Sequence, residues 1–295
     1  MNTPEPPAIP SVAVPTRPFW WSVQRELWEN RSVTVAPLLV TAISLLASTI
    51  ATFSLPGRIR ALSAVDPAKR HEVVVKVFTL APAPIMLATF LVGLFYALDA
   101  LHGERRDRSI LFWKSLPVSD LTTVLAKASV PLAVLPCIGI LLGLLTQWVL
   151  LAVSTAVFLG SGSSPAILWT EFRVFREAVE MVYGMAAHVL WFAPIYGWLL
   201  LVSVWARRLP VLWAVLPPFV LVAVERLAFQ TTWFSSFLKD RATGAMARAF
   251  VVTPPDHWQL TPGPFLSSPA LWLGLLFTVA CLAAAVRLRR HREPT

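Results

Sequence analysis

Five consecutive charged residues, Glu104-Arg105-Arg106-Asp107-Arg108, form the longest unbroken run of charge in the chain. A compact apolar group, Ile110-Leu111-Phe112-Trp113, follows Ser109, and Ser115-Leu116-Pro117 follows that. This combination does recognition chemistry. The ions can make charge-assisted hydrogen bonds with a partner, while Phe112 and Trp113 supply the apolar centre of an interface with a polar rim. A connector that only crosses water has no use for such a centre. The segment 102–120 is therefore expected to be a loop that docks, built as a short helix across the ends of two apolar runs. Pro117 ends that helix by disfavouring helical geometry at Leu116, and Ser119 or Asp120 caps the next one. A rigid helix held in a partner's groove passes on the partner's motion. Glu104, Arg105, Arg106, Asp107, Arg108, Ser109, Phe112, Trp113, Leu116 and Pro117 are the residues expected to carry the docking.

Other chemistry-bearing residues are sparse. The five histidines are scattered, and no His-Glu-x-x-His zinc pattern occurs. Gly160-Ser161-Gly162-Ser163 does not fit a Gly-x-Ser-x-Gly nucleophile turn. No glycine precedes a lysine, so the phosphate cradle of a nucleotide-binding loop is missing. Cys137 and Cys281 lie in apolar runs without metal spacing. No catalytic, cofactor-binding or metal-binding residue is assigned, and any ATP hydrolysis falls to another subunit. Within the apolar runs, His188 is either a proton relay or substrate contact or a side chain bonded to a neighbouring helix. Gly139 and Gly143 form a Gly-x-x-x-Gly pattern suited to close helix contact. Trp191, Trp198 and Trp205 recur every seven residues, facing a partner helix, a pathway or lipid.

The elements that position these residues follow from composition. Of 295 residues, 56% are hydrophobic and 14% charged, against about a quarter charged in soluble domains. Apolar runs of about 20 residues cross the bilayer as helices, because backbone amides in lipid must bond within their own segment. The expectation is an all-α integral membrane protein with six transmembrane helices. The spans fall near Val33–Leu55, Phe78–Leu101, Ala128–Leu159 (bending at Pro131 and Pro136), Tyr183–Ala206, Leu209–Val224 and Pro269–Val286. Pro56-Gly57 breaks the first, Arg58–Val77 is a polar connector, and Leu168–Val182 is an amphipathic helix running into the fourth. The fifth, with Pro210, Pro217 and Pro218, is the weakest. Residues 1–16 read as a disordered Pro-rich tail. Residues 17–31 read as an interfacial amphipathic helix, with Trp20, Trp21 and Trp28 at headgroup level and Arg25 and Glu26 toward water. The six-helix domain takes 32–288, including an external segment 226–268, and a basic tail takes 289–295. The net charge of +9 belongs to basic span ends and membrane lipid rather than nucleic acid. Arg105, Arg106, Arg207, Arg208, Arg287 and Arg289 press against those ends, which places both termini in the cytoplasm.

Three features resemble the permease subunits of ABC-2 type transporters, the type V ABC exporter transmembrane domain. Arg25-Glu26-Leu27-Trp28-Glu29-Asn30-Arg31 is similar to that family's connecting helix before the first span. Glu104–Ser109 with Ser115-Leu116-Pro117-Val118-Ser119 is similar to the charged run and Ser-Leu-Pro segment after its second span. The order of six spans, with a long external segment before the last, is the third match. The first two cover about a tenth of the chain and are fairly specific. The resemblance implies a bacterial inner-membrane exporter subunit without enzymatic activity of its own. Its partners would be an ABC ATPase, which holds ATP and Mg and contacts the loop after span two, and a second permease, identical or related. Gly139, Gly143, His188, Trp191 and Trp198 would then belong to a pathway or subunit interface, with an amphiphilic substrate. A membrane enzyme, or a scaffold without its own path, is the alternative. The connector Arg58–Val77 carries more positive charge than the external side of such a bundle calls for.

Overall fold

A computed structural model describes residues 17–63, 67–106, 118–253 and 257–291. The tail at 1–16 lies outside them. Pro18 starts α1 (Pro18–Glu29), where its missing amide is harmless. Six helical stretches are long and apolar enough to cross a membrane. The first is α2 (Ser32–Thr52). The second comprises α4 (Pro67–Leu80), α5 (Ala83–Asp99) and α6 (His102–Arg106). The third joins α7 (Asp120–Ser129) through a π-helical turn, Val130–Val134, to α8 (Leu135–Gly160). The fourth is α10 (Val174–Trp205), and the fifth is α11 (Pro210–Val224) with a second π-helical turn, Glu225–Phe229. The sixth is α14 (Pro269–His291).

Several sequence expectations change in detail. The described residues of the connector, 58–63 and 67–77, are helical, in α3 (Leu55–Ser63) and α4, and Pro56 sits at the start of α3 instead of breaking a span. The break in the second stretch comes at Ala81-Pro82, because Pro82 and Pro84 supply no amide donors. The Ser44 hydroxyl of α2 donates to the Ala81 carbonyl there. Pro131 lies in the π-helical turn, so the third stretch absorbs that proline without ending. The 168–182 helix is interrupted: α9 (Ala166–Glu171) stops, Phe172 is extended, and α10 begins at Val174. The fifth stretch is unbroken despite Pro217 and Pro218. It is bracketed by two left-handed non-glycine residues, Leu209 (φ 51°) and Gln230 (φ 52°), and Ala214 is its one buried residue. The segment before the last stretch holds α12 (Trp233–Ala249), a hairpin and α13 (Pro262–Leu266). The hairpin, β1 (Phe250–Thr253) antiparallel to β2 (His257–Leu260), departs from a purely helical reading.

Two apolar cores hold the bundle. The larger joins α5, α7, α10 and α14 and includes Tyr96, Leu101, Val124, Trp191, Leu200 and Ala285. The smaller lies at the opposite end, among α3, α4, α8 and α9, around Phe78, Leu150, Phe158 and Phe172. Phe78 and Phe172 stack with centroids 4.6 Å apart.

Candidate functional site

Four sequence-distant helix ends converge on one water-poor ionic cluster. α1 supplies Arg25 and Glu26, α6 supplies Glu104, α7 supplies Asp120 and Lys127, and the end of α14 supplies Arg289. Glu26, Glu104, Lys127 and Arg289 are each no more than 7% exposed. The Lys127 ammonium donates to both Glu26 carboxylate oxygens at 2.9 Å and lies 3.1 Å from Glu104 Oε1. The Arg25 guanidinium reaches Glu26 at 2.8 Å and Glu104 at 3.3 Å. The buried Tyr96 hydroxyl donates to Glu26 Oε2 at 2.8 Å. Glu26 and Glu104 thus each have several donors, which is the condition for holding charge away from water.

The placement of Arg289 matters most. Its Nη1 donates to Glu104 Oε2 at 2.7 Å, and its Nε donates to Asp120 Oδ1 at 3.0 Å. One guanidinium fork therefore clamps the residues on either side of the segment 105–119. The start of that segment is fixed a second time. The Leu101 and His102 amides donate to the Ser203 hydroxyl of α10 at 2.8 and 2.9 Å. At its other end the Ser119 hydroxyl accepts from the Thr122 amide and caps α7, as its sequence position suggests.

Of the docking residues, Glu104, Arg105 and Arg106 lie on α6. Asp107, Arg108, Ser109, Phe112, Trp113, Leu116 and Pro117 lie outside the described residues. On α1, Trp20, Trp21 and Trp28 are exposed, as an interfacial helix requires. Glu26 is a correction: it turns into the bundle instead of toward water, because Lys127 and Tyr96 wait there. Arg25 follows it and is half-buried.

Of the residues expected at a pathway or interface, Gly139, Gly143 and His188 share the neighbours Met86, Thr89, Met181 and Met185, whereas Trp191 and Trp198 pack elsewhere. Gly139 and Gly143 make a close contact inside this chain. A Cβ at Gly139 would lie 3.2 Å from the Thr89 hydroxyl, and one at Gly143 would lie 2.8 Å from the Met86 methyl. His188 stacks on Phe192 at 4.3 Å and meets Phe90 edge-on at 5.1 Å. It lines a cavity of about 280 Å³ with Met86, Met181, Met185 and Met246. Trp198 donates to the Ala214 carbonyl at 3.0 Å. Trp191 is fully buried under α12, with the Arg241 guanidinium 4.3 Å above its ring. Arg241 also donates to the Trp191 carbonyl at 3.1 Å and to the Ala270 carbonyl at 2.7 Å. Glu225 accepts from the Phe234 and Ser235 amides and so caps α12.

At the opposite end, Glu171 receives Arg70 at 2.8 Å and contacts His71 Nδ1 at 2.7 Å. Partial burial raises the Glu171 carboxyl, but the hydrogen bonds and charges of His71 and Arg70 together outweigh it and leave the pKa below its ordinary value.

Asp120, Lys127 and Arg289 join the site although composition does not mark them as part of it. For Arg289 a signal was present. Buried positions on α14 run 271, 274, 278, 281, 285, 289 at helical spacing, so Arg289 falls on the inward stripe. No family model, curated protein or solved structure matches this chain.

Proposed function

We propose that the chain is the transmembrane permease subunit of an ATP-driven exporter, resembling the ABC-2 class, and that the charge cluster couples it to a separate ATPase. The six apolar stretches cross the bacterial inner membrane with both termini cytoplasmic. α1 lies in the interface with its three indoles among the headgroups. The observation that carries the reading is the Arg289 clamp. A segment with docking chemistry has both flanks tied by one side chain, and that side chain belongs to a network joining α1 and the second, third and sixth stretches. A pull on the segment is then a pull on four helices at once. The partner ATPase supplies ATP and Mg, a second permease completes the pathway, and the substrate is an amphiphile.

The test is to isolate the tagged chain from membranes with its ATPase and to measure ATP hydrolysis. Wild type should copurify a protein with a phosphate-binding loop and hydrolyse ATP. Trp113→Ala, or Glu104→Ala with Arg106→Ala, should lose the ATPase while remaining in the membrane. Arg289→Lys should keep the ATPase but lower turnover. Unchanged copurification and turnover in all three variants would overturn the coupling role.

A further inference from the structure

The positive excess in the connector finds its use in a groove. Residues 58–77 carry Arg58, Arg60, Lys69, Arg70 and Lys76 against Asp66 and Glu72. In the structure its described residues are helical and, with the first span, line a cavity of about 600 Å³. Val40, Ile43 and Ala47 of α2 form one wall, and Val77, Leu80 and Pro84 the other. The α2 wall runs from Val40 to Ala51. At the helical rise this is about 16 Å, half of a hydrocarbon core of about 30 Å, which is the depth of one leaflet.

The polar groups are not spread evenly. Arg58, on the exposed face of α3 just beyond the span, and Lys76 on α4 both line the cavity. By chain order they stand at its shallow end, while Val40 and Pro84 stand at its deep end. Glu72, one turn before Lys76, pairs with that ammonium, so the mouth keeps a net positive charge. Ser44 bonds to the Ala81 carbonyl inside the groove and so satisfies that backbone oxygen at the proline break.

We infer that this groove is a binding site for an anionic phospholipid, its acyl chain between α2 and α4–α5 and its phosphate on Arg58 and Lys76. The site is apolar over one leaflet and cationic at the headgroup level, which is the charge pattern of that ligand. A zwitterionic lipid fits the apolar walls equally well but gains little at the mouth. Each cation near a membrane surface favours an anionic lipid several-fold, and Glu72 offsets part of Lys76, so the preference should be roughly tenfold. The inference rests on the bundle being membrane-embedded and not on ATP-driven transport, and the experiment needs no ATPase.

The full chain, purified in detergent, is titrated with phosphatidylglycerol or phosphatidylcholine of identical acyl chains, and lipid retention is read by native mass spectrometry. Wild type should retain phosphatidylglycerol at roughly tenfold lower concentration than phosphatidylcholine. Arg58→Gln with Lys76→Gln should bring the two lipids level by losing phosphatidylglycerol alone. Ala47→Trp, which fills the groove and keeps both cations, should weaken both lipids. Inorganic phosphate alone should not displace phosphatidylglycerol. Equal retention of the two lipids by wild type overturns the site, and that arm needs no variant to fold. A preference that survives the double glutamine variant, or displacement by free phosphate, overturns it as well.

Discussion

The two ends of the bundle are fastened by opposite means. Where α1 and α14 both pack on α7, the fastening is ionic: among the described residues, Arg25, Lys127 and Arg289 face Glu26, Glu104 and Asp120, mostly out of water. At the far end it is apolar, with Phe78 on Phe172 and Leu150, Leu151 and Phe158 around them. The carboxylate bonded beside that core, Glu171, is only half-buried. Apolar contact is non-directional and proportional to area, so the far end can slide by small amounts at little cost. A dry ionic cluster has few arrangements that satisfy every charge, and losing one partner strands another. We take the ionic end to set the register of the helices and the apolar end to hold them while allowing movement.

Breaking that contrast begins with Lys127→Ala. It leaves Glu26 and Glu104 short of a buried cation and should cost about 3–5 kcal/mol, measured by denaturant unfolding in detergent. A loss under about 1 kcal/mol, the value of an exposed pair, would mean that water reaches the cluster and the contrast fails. Arg289→Lys keeps the charge but not the fork, so one of its two carboxylates loses its bond, at about 1.5–3 kcal/mol. At the far end Glu171→Gln should cost at most about 1 kcal/mol, because the pair is partly solvated. Its pH dependence sharpens the point. The folded carboxyl lies below its ordinary value of 4.5, so its contribution is complete above that pH and is lost as pH falls through the lower folded value. An unfolding-against-pH profile should show a smaller acid loss in Glu171→Gln than in wild type. Smallest of all, Trp28→Ala, on the exposed face of α1, should change stability by no more than about 0.5 kcal/mol. It should weaken association of a peptide spanning α1 with vesicles.

The six apolar stretches were legible in the sequence because length and lack of charge suffice to mark them. Their ends were not. Pro56 and Pro82 look alike in sequence, yet one opens a helix and the other separates two, and the difference depends on what packs alongside. Residues Glu104–Arg106 stood out by composition. Lys127 and Arg289 looked like ordinary basic flanks, because a cation beside an apolar run is the common signature of a membrane boundary. Only their helical phase marks them as inward, and only the fold shows that they meet the same carboxylates. Glu26 was misread for a related reason. A charged residue on an amphipathic helix faces water unless a partner is buried behind it, and the buried partners of Glu26, Lys127 and Tyr96, lie outside α1.

Arg241 has a consequence for how the far side can open. Its guanidinium holds a carbonyl of α10 and a carbonyl of α14 together, with the Trp191 ring beneath. If those two helices part, the buried guanidinium must give up one of its two carbonyls. Any widening between the two helices therefore costs this arginine a bond, and α12 with it a point of attachment.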